Sequence, residues 1–357
     1  MKKLLVVVLA FAVSTGVFAQ ASVTGQLHTM FGLRLHSDNS DFVGGLPNHG
    51  EPQWDFSFLN SQTWIQFNYG RENVTGWVRL RATDMGGPGS WRAQVAGRWN
   101  DFELGMGFIE LPWVQWSGIS FAGDSNWGIG AMASTVNPYV FGRLTVADGT
   151  RVYLGLSEAN RVIAPPDGTP RGGQWLIDDH PIPGFFVGFD HVQPGAFSFG
   201  LAFAGVPAAE GFGGLAESTF PFMIGLHGRF FDLGPLELGV NLALYNDPQW
   251  GFFSVATGPF SGVAQRGPGA DEDSLMVMEA MLDLRIPLDM ATFVISYGLL
   301  MNFDGDREDL GMQIAAQATI PLGNGFSLIP GVRFRIENDG NETASQTDIG
   351  VHVRFNF

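Results

Sequence analysis

Thr347-Asp348-Ile349-Gly350-Val351-His352-Val353-Arg354-Phe355-Asn356-Phe357 ends the chain, and its reading decides the fold. Thr347, Ile349, Val351, Val353, Phe355 and Phe357 occupy one parity. Asp348, Gly350, His352, Arg354 and Asn356 occupy the other. Successive side chains of a strand point to opposite faces, so this segment is a strand with one oily face and one wet face. The same alternation recurs upstream. Leu236, Leu238, Val240, Leu242 and Leu244 keep it without a fault, and Val78 and Leu80 alternate with Trp77, Arg79 and Arg81. The first such segment runs from Val23 to Leu35, the second from Asn60 to Tyr69. In all, sixteen segments of this kind can be read.

The connections between them fall into two sets. Short turns such as Gly70-Arg71-Glu72-Asn73, Asn100-Asp101, Asp148-Gly149, Pro194-Gly195 and Leu233-Gly234-Pro235 alternate with long polar loops. The long loops include 36–58, 110–138, 157–182, 204–219, 246–273 and 337–346. Short turns at one end and long loops at the other, with an even strand count, describe a transmembrane antiparallel β-barrel. A soluble sandwich or propeller also alternates, but it does not predict this two-sided asymmetry.

Composition agrees. Only 15% of residues are charged, against about 25% in an ordinary soluble domain. No apolar run beyond the N-terminus reaches the ~18 residues of a membrane helix, so membrane residence has to come from alternation. With no cysteine there is no disulfide, thiolate nucleophile or cysteine metal site.

At the N-terminus, Lys2 and Lys3 precede the apolar run Leu4–Val13, and Val17-Phe18-Ala19 follows. This is the pattern of a cleaved secretory signal over residues 1–19, with a cut after Ala19 or, alternatively, after Ala21. Residues 20–357 then form a single barrel domain, with no room for a plug or a passenger domain.

The only lysines are Lys2 and Lys3, so the rest of the chain sets seventeen arginines against thirty-five acids. By the strand map, twenty-four acids fall in the long loops, while twelve arginines fall on strands. Nearly all of these have the parity opposite to the apolar face. A charge facing lipid costs several kcal/mol at mid-membrane, so these arginines are expected to line a wet interior. Arg34, Arg79, Arg81, Arg92, Arg98, Arg333, Arg335 and Arg354 gather on strands that barrel closure makes neighbours. Outward aromatics near strand ends, including Tyr69, Trp91, Trp99, Phe102, Phe108, Phe293, Tyr297, Phe355 and Phe357, read as interfacial girdles.

The tail VHVRFNF resembles the final strand of Gram-negative-type outer-membrane barrels. That resemblance implies that Phe357 and Phe355 are read by the barrel assembly machinery. Over nearly the whole mature length the arrangement is similar to general bacterial porins of sixteen strands, whose third outer loop sits after strand 5, folds into the lumen and faces a basic wall. The resemblance implies a water-filled channel for small hydrophilic solutes or ions in the bacterial outer membrane, in contact with its lipid, with loop 110–138 as a constriction that carries Glu110 and Asp124. It also implies a homotrimer, for which the small outward residues Gly76, Ala82, Ala93 and Gly97 would suit the packing of barrel on barrel. No cofactor, metal or nucleic-acid partner is expected.

Other readings stay open at this level. One is a closed, structural barrel whose acidic loops bind partners. Another is a barrel hydrolase built on Asp178-Asp179-His180, although no nucleophile elbow, phosphate loop or zinc-protease motif occurs. Asp271-Glu272-Asp273 and Asp304 to Asp309 read as solvated acidic tips, with weak divalent binding as the alternative. Inward Trp64 and Trp77 fill the lumen or stack a sugar.

Overall fold

The alternation forces a wall one strand thick, with an apolar face that must meet lipid and a polar face that must close on itself. The computed structural model shows that wall. It describes residues 21–36, 53–58, 63–82, 88–110, 136–158, 176–177, 180–181, 183–205, 222–246, 276–302, 309–339 and 343–357. Among them nineteen strands and no helix are found. In chain order they are β1 (Ala21–His36), β2 (Gln53–Phe58), β3 (Trp64–Arg71), β4 (Val74–Ala82), β5 (Pro88–Trp99), β6 (Phe102–Glu110), β7 (Val136–Ala147) and β8 (Thr150–Glu158). Then come β9 (Leu176–Ile177), β10 (His180–Pro181), β11 (Pro183–Gln193), β12 (Phe197–Gly205), β13 (Phe222–Leu233) and β14 (Leu236–Asn246). The set ends with β15 (Met276–Pro287), β16 (Thr292–Asn302), β17 (Asp309–Gly323), β18 (Phe326–Asp339) and β19 (Thr343–Asn356).

Seventeen of these strands form one sheet, and β1 pairs antiparallel with β19 to close it. β2 and β3 share one edge of β1, β2 against Thr29–Arg34 and β3 against Ala21–Gln26. They are two pieces of one stave, so the barrel has sixteen staves. The second strand, expected over Asn60–Tyr69, is therefore broken in two, and its upper piece lies inside what the sequence offers as loop 36–58. At the break Thr63 replaces the missing rung. Its hydroxyl accepts from the His28 N–H (3.0 Å) and donates to the His28 carbonyl (3.2 Å). Loop 110–138 is also shorter than expected, because β6 runs to Glu110 and β7 begins at Val136. Loop 157–182 contains the small β9–β10 ladder.

The tight turns follow their residues. Gly149 (φ 73°) and Asn100 (φ 50°) adopt the left-handed conformation that a two-residue hairpin requires. The outer face is an apolar belt in which Leu154 (66% exposed), Met106, Leu156 and Val140 stand clear of other groups. At its edge Trp99, Phe102, Phe293 and Phe357 are also exposed, in the girdle positions expected of them. The side chains of Trp91 and Phe108 lie outside the described residues.

The seam is locked at its end by the terminal residue. Gly25 N–H donates to the Phe357 main-chain oxygen (3.0 Å), and Phe357 N–H donates to the Gly25 carbonyl (3.1 Å). The Phe357 ring lies over Gly25, where a Cβ would come 2.2 Å from Cζ. Phe355 stacks between Phe357 and Phe326, with centroids 5.9 and 4.5 Å away.

The same device recurs on the inner face, where rings lie across glycines of the neighbouring strand. Phe141 covers Gly105, Phe186 covers Gly155, Tyr153 covers Gly188 and His227 covers Gly200. A Cβ at Gly155 would stand 2.2 Å from Phe186 Cζ and 2.5 Å from the Val140 carbonyl oxygen. Backbone cannot move aside as a flexible side chain can, so overpacking is costly here. Gly155→Ala should lower unfolding stability in detergent by about 1–3 kcal/mol. Gly142→Ala, whose nearest neighbour would be 3.5 Å away, should be nearly neutral. Urea titration of the refolded barrels followed by tryptophan fluorescence compares the two.

Candidate functional site: the barrel lumen

The even-parity residues of β19 and their counterparts on the other staves face inward, and most of the charge on the strands is among them. On β3 and β4, Arg79 sits with its guanidinium 4.3 Å from the Trp64 ring and 5.5 Å from the Trp77 ring. Its Nε donates to Gln66 Oε1 (2.8 Å), and Gln66 Nε2 donates to Asn68 Oδ1 (2.6 Å). A guanidinium on an aromatic face is held by the ring quadrupole, so the two indoles that look out of place in a wet wall serve to position a cation. The register sets Arg92 directly opposite Arg79. Arg98 faces Glu103 in register, but the Glu103 carboxylate is taken by Arg143 Nη2 (2.7 Å), and Arg98 is exposed near the short turn.

The wall of β18, β19 and β1 holds its charge differently. Arg333 donates to Asp348 Oδ2 from Nε (2.8 Å) and also from Nη2. Gln346 Nε2 donates to the same carboxylate (2.8 Å). Arg335 is buried and Arg354 half-buried. Between Asp348 and Arg354 along β19, His352 stacks on His28 with centroids 4.8 Å apart, and 3.1 Å separates His352 Nδ1 from His28 Nε2. Further round, Arg151 Nε donates to Asp190 Oδ1 (2.6 Å). Arg229 and Arg285 share Glu237 at 3.6 and 2.8 Å, and Ser296 Oγ donates to Asp283 Oδ1 (2.5 Å).

The lumen thus contains two kinds of arginine. Arg143, Arg151 and Arg333 each pair with an acid of an adjoining strand, and Arg229 and Arg285 share Glu237. On β4 and β5, arginine neighbours arginine. Of the expected basic wall, Arg79 and Arg92 stand side by side, while Arg333 spends its charge on Asp348. Arg34 on β1 and Arg81 on β4 have inward parity and side chains outside the described residues, and Arg34 is opposite Asp348 in register. Glu110 pairs through its backbone with Val136 at the top of β6. Its side chain, like the whole of Asp124, lies outside the described residues. So do Asp178 and Asp179. His180 pairs with Ile177 in the small ladder. The acidic segments 271–273 and 304–308 also lie outside. Among the described residues no three His, Cys, Asp or Glu side chains gather as a metal site would require.

Sequence reading passed over an inward aromatic wall. Tyr139, Phe141, Tyr153 and Phe186 are all at most 3% exposed and contact one another at centroid distances of 5.7–6.4 Å. Parity was the available signal, since Val140 and Val187 point outward on either side of them. Neutral inward residues such as Ser198, His227, Asn241 and Gln313 offered no charge to draw attention.

No family model and no curated protein sequence matches the chain. Solved structures do match, and the fold is that of the porins. The outer membrane channel DcaP of Acinetobacter baumannii is similar at a TM-score of 0.66 and 11% identity, over 96% of this chain and 98% of that one. An anion-selective porin from Comamonas acidovorans is similar at 0.61 and 15%, over 95% and 99%. A loop-deletion form of OmpT, an outer membrane protein of Vibrio cholerae, is similar at 0.55 and 12%, over 95% and 99%. The similar structures are mainly porins and channels.

The Arg333–Asp348 pair can be tested directly. The two side chains are only 16% and 8% exposed, and removing one partner of such a pair leaves an uncompensated charge. Asp348→Leu should cost about 3 kcal/mol. The double variant Arg333→Met with Asp348→Leu should recover much of that loss. Equilibrium unfolding of both variants in detergent gives the comparison.

Proposed function

We propose that the protein is an outer-membrane porin, a water-filled channel for passive diffusion of small hydrophilic solutes or ions. The observation that carries the reading is the inward placement of the strand arginines within a closed sixteen-stave barrel of porin fold, behind an outer belt that only lipid can cover. On this reading loop 110–138 acts as the constriction, with Glu110 and Asp124 as its acids. Lipid, the barrel assembly machinery acting on Phe357 and Phe355, and two further copies of the chain are its partners. Planar-bilayer recording tests the reading, and stepwise conductance is the expected result. A second reading, a closed barrel whose acidic loops bind partners, draws on the near-complete burial of Gln313, Ile329 and His352 on the inner face. A folded protein without conductance decides for it.

Charge acts within a Debye length of about 8 Å at physiological salt. Wall charges at a constriction of comparable width therefore outweigh the distant acidic loop tips, and arginine stays charged at any usable pH. Mild anion preference follows, opposite in sign to the net charge of the chain. Arg79→Gln, Arg81→Gln and Arg92→Gln together should move the zero-current potential in a salt gradient toward cations. Cation preference in the unaltered protein, unmoved by the triple variant, overturns the basic-wall reading. A separate expectation concerns export. Residues 1–19 are removed as a signal peptide, so N-terminal sequencing of the exported protein should begin at Gln20.

A further inference from the structure

Two neighbouring rungs of the inner face, on β1, β3, β4 and β5, are open to the lumen across all four strands. On the first, Thr24 is opposite Gln66, Gln66 opposite Arg79 and Arg79 opposite Arg92. On the second, one rung nearer the short turns, Ser22 is opposite Asn68, Asn68 opposite Trp77 and Trp77 opposite Gln94. Ser22 and Thr24 are exposed and the rest are half-buried. None is sealed off by the chain as Tyr153 and His227 are, so a solute in the lumen can touch every one of them.

The first rung carries the charge. Arg79 is fixed by the Trp64 ring beneath its guanidinium (4.3 Å) and by Gln66 Oε1, to which its Nε donates (2.8 Å). That bond uses one of several N–H donors in a planar fork whose shape matches a carboxylate. Arg92 stands opposite on the next strand, about 5 Å away across the pair. Like charges directly opposite repel, and a carboxylate held between them turns that repulsion into attraction.

The second rung is neutral. Asn68 Oδ1 accepts from Gln66 Nε2 (2.6 Å), and Asn68 Nδ2 donates to the hydroxyl oxygens of Ser22 and Thr24 (3.4 Å each). These bonds tie the two rungs into one polar surface. Trp77 and Gln94 continue it with an indole and an amide. Residues two apart on a strand are about 7 Å apart, so one small molecule spans both rungs.

The combination constrains the ligand. A chloride ion uses the first rung alone, and a neutral sugar draws only on the second. A carboxylate on a hydroxylated ring uses both. Its carboxylate takes paired bonds from the guanidinium groups. Its hydroxyls exchange bonds with the Asn68 and Gln94 amides and with the Ser22 and Thr24 hydroxyls, and its apolar ring face lies against Trp77. We infer that this wall is a binding site for acidic sugars, formed by Arg79, Arg92, Asn68, Trp77 and Gln94. It deepens the anion preference proposed above, because a basic wall alone draws all small anions alike, whereas this surface sorts them by what the anion is attached to.

The site takes its access from the pore reading, and the experiment separates the two. Glucuronate, glucose and acetate are titrated into the refolded full-length barrel in detergent by calorimetry. Each is also added at constant ionic strength to the channel in planar bilayers. The parent should bind glucuronate saturably, with a saturable current block, and bind glucose and acetate roughly tenfold or more weakly. Arg92→Gln should weaken glucuronate binding roughly tenfold. Gln94→Leu alters no charge and should lower the preference for glucuronate over acetate roughly threefold. Gln94 takes no part in the bonds that tie the rungs together, so its variant keeps the test open if Arg92→Gln does not fold. Saturable, selective binding in detergent without conductance defeats the pore reading and leaves the site standing. The site is overturned, whatever the conductance, by the absence of saturable glucuronate binding, by acetate binding as tightly, or by a preference that either folded variant leaves unchanged.

Discussion

In hydrocarbon every backbone N–H must find a carbonyl within the protein, because no water is there to serve instead. For a sheet this allows a single solution, which is to have no edge. The pairing of β1 with β19 from Gln26 to His36 supplies it, and the rest of the molecule is arranged to make that pairing hold. Phe357 closes the last rung against Gly25 by both main-chain bonds and by its ring. Thr63 mends the one place on the opposite edge of β1 where β2 gives way to β3. Without either repair, polar backbone would be exposed at the membrane boundary.

Closure then dictates the inside. Once apolar residues are committed to lipid, every second side chain is turned into a space shared with fifteen other staves. Charge there is governed by register more than by amount. Asp348 neutralises Arg333 because β18 and β19 are paired in that register and no other, and a slip of one residue in β19 would turn Asp348 toward lipid and leave Arg333 inside without it. The same reasoning applies to Arg151 with Asp190 and to Arg143 with Glu103. On β4 and β5 the register brings Arg79 and Arg92 together instead, and Trp64 and Trp77 steady the first of them. The electrostatic character of the lumen is thus uneven around its circumference.

Much of this was legible in the chain. Parity along Thr347–Phe357 and Leu236–Leu244 is a local property, as are the turn residues at Asn100 and Gly149, so strands, faces and hairpins could be read directly. β2 could not. Gln53–Phe58 is short, follows Pro52 and is a strand only because the upper half of β1 offers it an edge. Charge pairing was equally hidden, since Arg333 and Asp348 look alike in sequence to Arg79 and Arg92 until the register is known. The neutral inward residues were least visible of all: Ser198, His227 and Asn241 have no charge pattern, and only the register of β12, β13 and β14 brings them to one face. The aromatic wall was within reach of parity, since Val140 and Val187 point outward beside it.

The rings that lie over glycines have a consequence for how such a wall can change over evolutionary time. Phe186 fits because Gly155 has no side chain, and Gly155 is tolerated in a strand because Phe186 fills the place of one. Neither residue can be exchanged alone without a collision or a hole. Variation at these sites should therefore travel in pairs across adjacent strands: Gly105 with Phe141, Gly155 with Phe186, Gly188 with Tyr153, Gly25 with Phe357. Kinship between barrels of this type would then persist in linked cross-strand substitutions after resemblance along the chain has faded. That accords with a molecule whose shape is shared so much more widely than its sequence.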